Sequence, residues 1–448
     1  MAELFDADAS PEKRLFISLI TRDISLADAI IDLLDNSVNA AMRPIHNAFS
    51  SASDFHKIFA KHSTRPNVTI HVTFDAHRVI VKDDAAGIDF ETAKHEVFRF
   101  GHSDGPESRD RLSVYGIGMK RALFKIGKQI SMFSDHRAGG FGLALNVPKW
   151  ARDTTLPWTI PISKRERRLA NQSTGTTITI SEIHPDIKDR LIDRTFETEL
   201  KDRISKVYSF FIGRIVNIYV NGREVDRTDF EIGEDNFSHD KFKRERVDCS
   251  ILAGIATPAE GRFLNAGAGW FIFCNFRTVL YGDKSTLTGW GGGDLPLFQP
   301  KHRPFLGIVL FTSSDPEALP WTTTKGHINE DSGVWQEAKL RMAAVGKPVT
   351  SFLDKRYSDD GTSIQPSGIA KMAGDAINVF DAAIGNRSTF KLSMSRSKKV
   401  KTTTKIQYEI TLKELDIVRR HFGRSNMTGT EIGRTTFDYF VSNEVGDV

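Results

Sequence analysis

The chain is poor in cysteine, nearly balanced in charge and without a long apolar run. Its 448 residues include two cysteines, Cys249 and Cys274, and these lack metal-ligand spacing. That argues against a disulfide scaffold or a zinc site, and for core thiols in a reducing compartment. A formal charge of +4 is slight for this length, so the overall balance gives no ground for nucleic-acid binding, and local clusters must be weighed singly. No apolar stretch approaches membrane-spanning length, and the opening MAELFDADASPEKRLF lacks the apolar core of a signal peptide. The expectation is a soluble, cytoplasmic protein of two or three domains.

What is present starts with Leu26–Ala41. On a helix, Leu26, Ile30, Leu33, Leu34 and Val38 share one face, while Asp28, Asp32, Asp35, Asn36 and Asn39 form a stripe opposite. Asp32 and Asn36 are four positions apart and project side by side. A carboxylate beside a neutral amide oxygen suits a site that holds a hard cation and orients a water against a phosphate. The same pattern also describes a plain amphipathic helix with a solvated acidic face. Pro44 is expected to end it.

Val68–Phe74 alternates with period two, turns at Asp75–His77, and returns as Arg78–Lys82. That second strand runs into Asp83-Asp-Ala-Ala-Gly87-Ile-Asp89. A carboxylate at a strand end, followed by small residues, can reach a pocket and accept a hydrogen bond from an exocyclic amine such as that of adenine. Residues 89–100 read as a helix, and residues 101–115 have the polar, breaker-rich composition of a lid. Next, Gly116-Ile-Gly118-Met119-Lys120 is a glycine turn opening a helix, a place where free N–H groups and Lys120 can meet a triphosphate. Strands follow at about 129–134 and 141–147. Ser173–Ile180, a turn into a β-branched strand, offers hydroxyls to a base pocket, Thr176 among them.

From about residue 195 a second domain is expected. It has a hairpin with an Asn-Gly turn at Ile215–Val225, buried strands at Gly269–Leu280 and Phe305–Phe311, the loop Leu319–Ile328, and a helix to about residue 357. Residues 358–370 read as linker and 371–384 as helix, and Lys391–Lys405 carries a basic run. The end reads strand (Lys405–Ile410), helix (Thr411–Phe422), turn, helix (Thr428–Glu444).

Taken in order, DLLDN (32–36), DDAAG (83–87), YGIGMK (115–120) and TGT (174–176) resemble the nucleotide-binding domain shared by gyrase, heat-shock chaperones, histidine kinases and MutL, the GHKL ATPases. The resemblance covers roughly the first 185 residues. It implies an α+β chain with a Bergerat-type α/β sandwich ATPase domain at 1–190. A transducer-like α/β domain would follow at 191–357, a linker with the basic run at 358–404, and a small strand-helix-helix module at 405–448. It implies ATP and Mg²⁺ as cofactors, Asp32 as general base, Asn36 as magnesium ligand and Asp83 as the adenine-reading acid. Gly87 would be the close-approach glycine. Gly116, Gly118, Met119 and Lys120 would form the phosphate loop, with Thr176 in the base pocket. In the second domain, Lys325 matches the transducer lysine that reaches the terminal phosphate. Two departures stand out: the usual base is Glu, and Ala85 replaces the first glycine of D-x-G-x-G, which requires that its backbone avoid positive φ.

The nearest likeness is to bacterial MutL/MORC-like ATPases, found with restriction and anti-phage systems. It implies a homodimer that closes on ATP, near DNA and a DNA-acting partner enzyme, and no membrane. The last module resembles a ribbon-helix-helix fold, in which Lys405 and Gln407 would face DNA bases; a dimerisation module is the alternative. Other readings of the whole are a heat-shock-type protein chaperone and an ATP-binding module without significant turnover.

Overall fold

The computed structural model describes residues 11–46, 68–101, 112, 116–153, 158–258, 263–358, 375–384, 388–392 and 406–445. They fall into two compact units, 1–394 and 395–448. Most of the expected lid (101–115), the linker and basic run, and Lys405 lie outside the described residues.

The first unit opens with α1 (Lys13–Arg22) and α2 (Leu26–His46). Ser25 starts α2 by accepting the Asp28 N–H at 3.1 Å and donating to the Asp28 carboxylate at 2.6 Å, a reciprocal cap. The helix runs two residues past Pro44. A proline in a last turn forfeits one backbone bond without stopping the helix. Strands β1 (Val68–Phe74) and β2 (Arg78–Asp83) form the expected hairpin. The helix read at 89–100 is a short turn, Phe90–Thr92, continued as a π-turn, Ala93–Val97. Then come α3 (Gly118–Ile126), β3 (Gly127–Asp135), β4 (Phe141–Asn146), α4 (Val147–Arg152), β5 (Ile162–Lys164), β6 (Gly175–Ile183), α5 (Pro185–Leu191), α6 (Phe196–Val207), β7 (Val216–Val220) and β8 (Arg223–Glu224).

The first sheet has the order β5-β4-β3-β6-β2-β1-β7-β8. Helices α2, α3 and α4 pack on it, and Ile30, Leu34 and Val38 are fully buried beneath α2. Burying side chains of this size contributes about 1.5–3 kcal/mol each. The chain crosses the expected 190/191 boundary without leaving this sheet, because β7 pairs in parallel with β1. Tertiary pairing is invisible to a local pattern; the hairpin itself sits where periodicity put it.

The second sheet uses β9 (Glu231–Arg244), β10 (Val247–Ala256), β11 (Gly269–Cys274), β12 (Arg277–Asp283) and β13 (Phe305–Thr312), covered by α7 (Gly333–Ser358). Its order is β12-β11-β13-β10-β9-β14, with β14 (Ala376–Asn378) leading into α8 (Val379–Ile384). The helix expected over 371–384 is therefore shortened: the free edge of β9 takes up residues 376–378 as a strand. Every residue of β11 and β13 is buried, as continuous apolar runs require. Both cysteines are buried and free. No described helix is long and apolar enough to cross a membrane.

The second unit contains α9 (Leu412–His421) and α10 (Gly429–Phe440). Both start with T-x-x-E capping boxes, Thr411 with Glu414 and Thr428 with Glu431. The strand expected at 405–410 is absent over 406–410, which carry no regular structure. A strand exists only through its ladder, and no neighbour among the described residues supplies one.

Candidate active site

A cavity of about 450 Å³ opens between α2, the β2 end and the start of α3. Asp32, Asn36, Asp83, Gly87, Gly116, Gly118, Met119, Lys120, Thr176 and Lys325 all line it. Ten residues singled out from separate stretches thus share one space. Gln407 lies on the exposed segment 406–410 of the other unit.

One end is closed by hydrogen bonds among α2, the first sheet and its loops. The Asp83 carboxylate, at the last position of β2, accepts from Ser37 Oγ at 2.8 Å and from the N–H groups of Ala85 and Thr176 at 3.1 and 3.2 Å. Burial pushes its carboxyl above the usual range, against the pull of those three donors. Thr176 Oγ1 and Ser134 Oγ share a hydrogen bond at 2.9 Å, and Ser134 accepts from Ile88 N–H at 2.7 Å. Gly87 has φ +73°, and a Cβ there would stand 2.1 Å from the Asp135 carbonyl oxygen. Only glycine fits. Ala85 is not among the residues with positive φ, so its methyl is accommodated. Ile88, Met132 and Ile178 give this end apolar walls, the lining a flat heterocycle needs.

The other end is built from charge. The Asp32 carboxylate is held by Arg121, whose Nε and Nη2 both reach Oδ2, at 2.7 and 2.6 Å. Burial raises the Asp32 pKa, with Lys325 and Arg121 pulling against it. Gly118 opens α3 beside this carboxylate, and Gly116, at φ +58°, makes the turn before it. Lys120 is buried; its Nζ donates to the Arg99 carbonyl at 2.6 Å and to the Gly116 carbonyl. Burial lowers its pKa to about 8.

Asp35, one position before Asn36, is 1% exposed. It accepts from Lys325 Nζ at 2.6 Å, Arg277 Nε at 2.9 Å and the Tyr208 hydroxyl at 2.7 Å. Burial alone would raise its carboxyl, but Arg277 and Lys325 outweigh it and the net shift is downward. Arg277 Nη1 also donates to the Lys325 carbonyl at 2.8 Å, and Lys325 N–H donates to the Thr322 carbonyl at 2.8 Å. Lys325 has φ +54°, a conformation costing a non-glycine residue about 1–2 kcal/mol. The ion pair and two backbone bonds hold it there. Thr323 and Thr324 of the same loop line the cavity as well.

Residues 24–176 match a known family of ATPase domains. Its description is "Histidine kinase-, DNA gyrase B-, and HSP90-like ATPase". This GHKL-type segment contains every lining residue named above except Ile178, Lys325 and its neighbouring threonines. No curated protein matches the chain.

The residues present fit ATP and a magnesium ion. Asn36 lines the cavity with a buried Nδ2 that has no partner among the described residues, which leaves its carboxamide able to turn its oxygen to a hard cation. The described residues hold no group of three or more His, Cys, Asp or Glu side chains placed for a metal. In a GHKL-type site one amide oxygen and the phosphates themselves would serve. Arg121, Asp35, Arg277, Tyr208, Ser37 and Ser134 were not singled out as site residues from sequence. The signals available were Asp35's place on the polar stripe of α2 and Arg121's place beside Lys120.

Proposed function

We propose that the chain binds and slowly hydrolyses ATP, and that the second sheet senses the nucleotide through Lys325. The observation that carries this reading is a lysine from the 319–328 loop lining the same cavity as Asp32 and Asn36. Adenine would sit at the Asp83–Thr176 end, its exocyclic amine donating to Asp83, whose carboxylate is already fixed by Ser37. The phosphates would meet the first turn of α3 and Lys120. Mg²⁺, when bound, would be held by Asn36 and would neutralise charge on the triphosphate.

In hydrolysis a water attacks the γ-phosphorus, the bond to the β–γ bridging oxygen breaks, and Asp32 takes the water's proton, leaving ADP and phosphate. Arg121 occupies Asp32 Oδ2, so Oδ1 is the oxygen left to act. Lys325 would stabilise the terminal phosphate by moving from Asp35 toward it, so nucleotide and Asp35 compete for one ammonium. In its fuller form the reading is of a MutL/MORC-like switch: two copies closing on ATP beside DNA, with a partner enzyme of a restriction or anti-phage system.

One observation favours a second reading, binding without turnover. Asp32 is one methylene shorter than the usual glutamate and is clamped by Arg121. Steady-state ATPase assays with and without duplex DNA separate the two. Slow turnover that rises with DNA is the expected result. Tight binding with no phosphate release would leave the second reading standing.

A further inference from the structure

An arginine that meets a carboxylate commonly spans both oxygens with two parallel bonds. Arg121 does not. Its Nε and Nη2 both reach Asp32 Oδ2, at 2.7 and 2.6 Å, and no described residue donates to Oδ1. The two side chains are 10% and 2% exposed, so each is held by the other rather than by water. Asp32 lines the cavity, and with Oδ2 taken, Oδ1 is the oxygen it can offer there.

The same turn of helix keeps Oδ1 open. Gly118 and Arg121 are three positions apart on α3 and lie on one face. A Cβ at Gly118 would stand 3.4 Å from Asp32 Oδ1 and 3.3 Å from its Cγ, so a side chain there would crowd the carboxylate. The first turn of α3 therefore supplies both the guanidinium that grips one oxygen and the bare backbone that spares the other.

We propose that Arg121 is a positioning residue for hydrolysis: by holding Oδ2 it fixes the plane of the Asp32 carboxylate and presents Oδ1 to the attacking water. This role rests on the reading of Asp32 as the base. As the water oxygen bonds to the γ-phosphorus and the bridging oxygen leaves with ADP, the water's proton passes to Oδ1. Arg121 keeps all its protons throughout. Charge points the same way. Asp32 has two cations near it, Lys325 and Arg121, and a second carboxylate, Asp35. Lys325 is bonded to Asp35 and is the cation that would leave for the terminal phosphate. Arg121 stays, so the buried carboxylate keeps a bonded counter-charge in the state that reacts. The clamp would argue against turnover only if it covered both oxygens.

The test compares the full-length wild type with Arg121→Lys and Arg121→Gln, using ATP and Mg²⁺. Lysine keeps the charge without the rigid fork, and glutamine loses the charge. Calorimetry gives affinity and the number of binding sites, and kcat is counted per site, so that lost folded protein does not register. Turnover should fall about tenfold in Arg121→Lys and about 100-fold in Arg121→Gln, the scale of a misplaced catalytic group, while affinity stays near that of the wild type. Arg121→Lys at the wild-type kcat would overturn the proposal, as would a loss of affinity as large as the loss of kcat. Should Arg121→Gln fail to fold, the lysine variant decides by the same two results. A wild type that binds ATP and releases no phosphate fails the hydrolysis reading itself, and the role of Arg121 falls with it.

Discussion

The two ends of the cavity are made by different means. At the Asp83 end, a strand-terminal carboxylate, three hydroxyls and two amides satisfy one another, all but one from the first sheet and its loops. At the Asp32–Asp35 end, carboxylates of α2 are matched by Arg121 from α3 and by Arg277 and Lys325 from the second sheet and its loop, up to 290 positions away. A recognition pocket that only has to be rigid can be closed locally by neutral donors. A place where charge arrives and departs needs counter-charges, and drawing them from a distant layer couples that layer to whatever binds.

The largest expected effect is at Asp32. Asp32→Asn should lower turnover by about 10²–10⁴-fold while nucleotide affinity changes little; an equal loss in both would make Asp32 a structural partner of Arg121. Asp35→Asn leaves Arg277 and Lys325 buried without their counter-charge and should cost about 3–5 kcal/mol of stability, measured by urea unfolding.

The pH dependence of stability separates the two ends by sign. Asp35's folded pKa is lowered, so its contribution is full above the ordinary aspartate value and is lost as pH falls through the lowered one. Asp83's is raised, so its carboxyl favours the fold most below the ordinary value, and that contribution is lost as pH rises through the raised one. Between about pH 4 and pH 2, Asp35→Asn should therefore flatten the acid limb of stability, and Asp83→Asn should not.

Asp83→Ala should weaken ATP binding by on the order of 100-fold, the cost of removing a hydrogen bond a site is built to make, seen by calorimetry. The smallest effect belongs to Lys120. With a pKa of about 8, it loses its charge as pH rises through that value. ATP affinity should then fall by up to about tenfold per pH unit, with proton uptake on binding near pH 8–9. Lys120→Arg, charged throughout, should remove the slope.

The Asp83 end was the more legible in sequence. A carboxylate directly after a period-two strand, then small residues and Gly87, is a local signal, and Thr176 follows its own glycine in the same way. At the charged end, α2 was legible from its 3.6-residue periodicity, and so was the choice of Asp32 and Asn36. Nothing local marks Asp35 as the acid to be sealed away with two cations, because Tyr208 and Arg277 reach it across 173 and 242 positions. Arg121 stood in view beside Lys120, but a basic residue in the first turns of a helix has many uses. The π-turn at Ala93–Val97 and the edge strand at Ala376–Asn378 depend on neighbours that periodicity does not report.

The parallel join between β1 and β7 has a consequence for how the chain is made. On the ribosome, the ATPase-like layer stays unfinished until residue 220 has emerged. Before then β1 is an open rim of amides and carbonyls with Ile70 and Val72 beside it, the kind of surface that captures stray strands. A protein cut at residue 190, however natural that break looks from the motif, should come off the ribosome sticky; one carried through residue 225 should not.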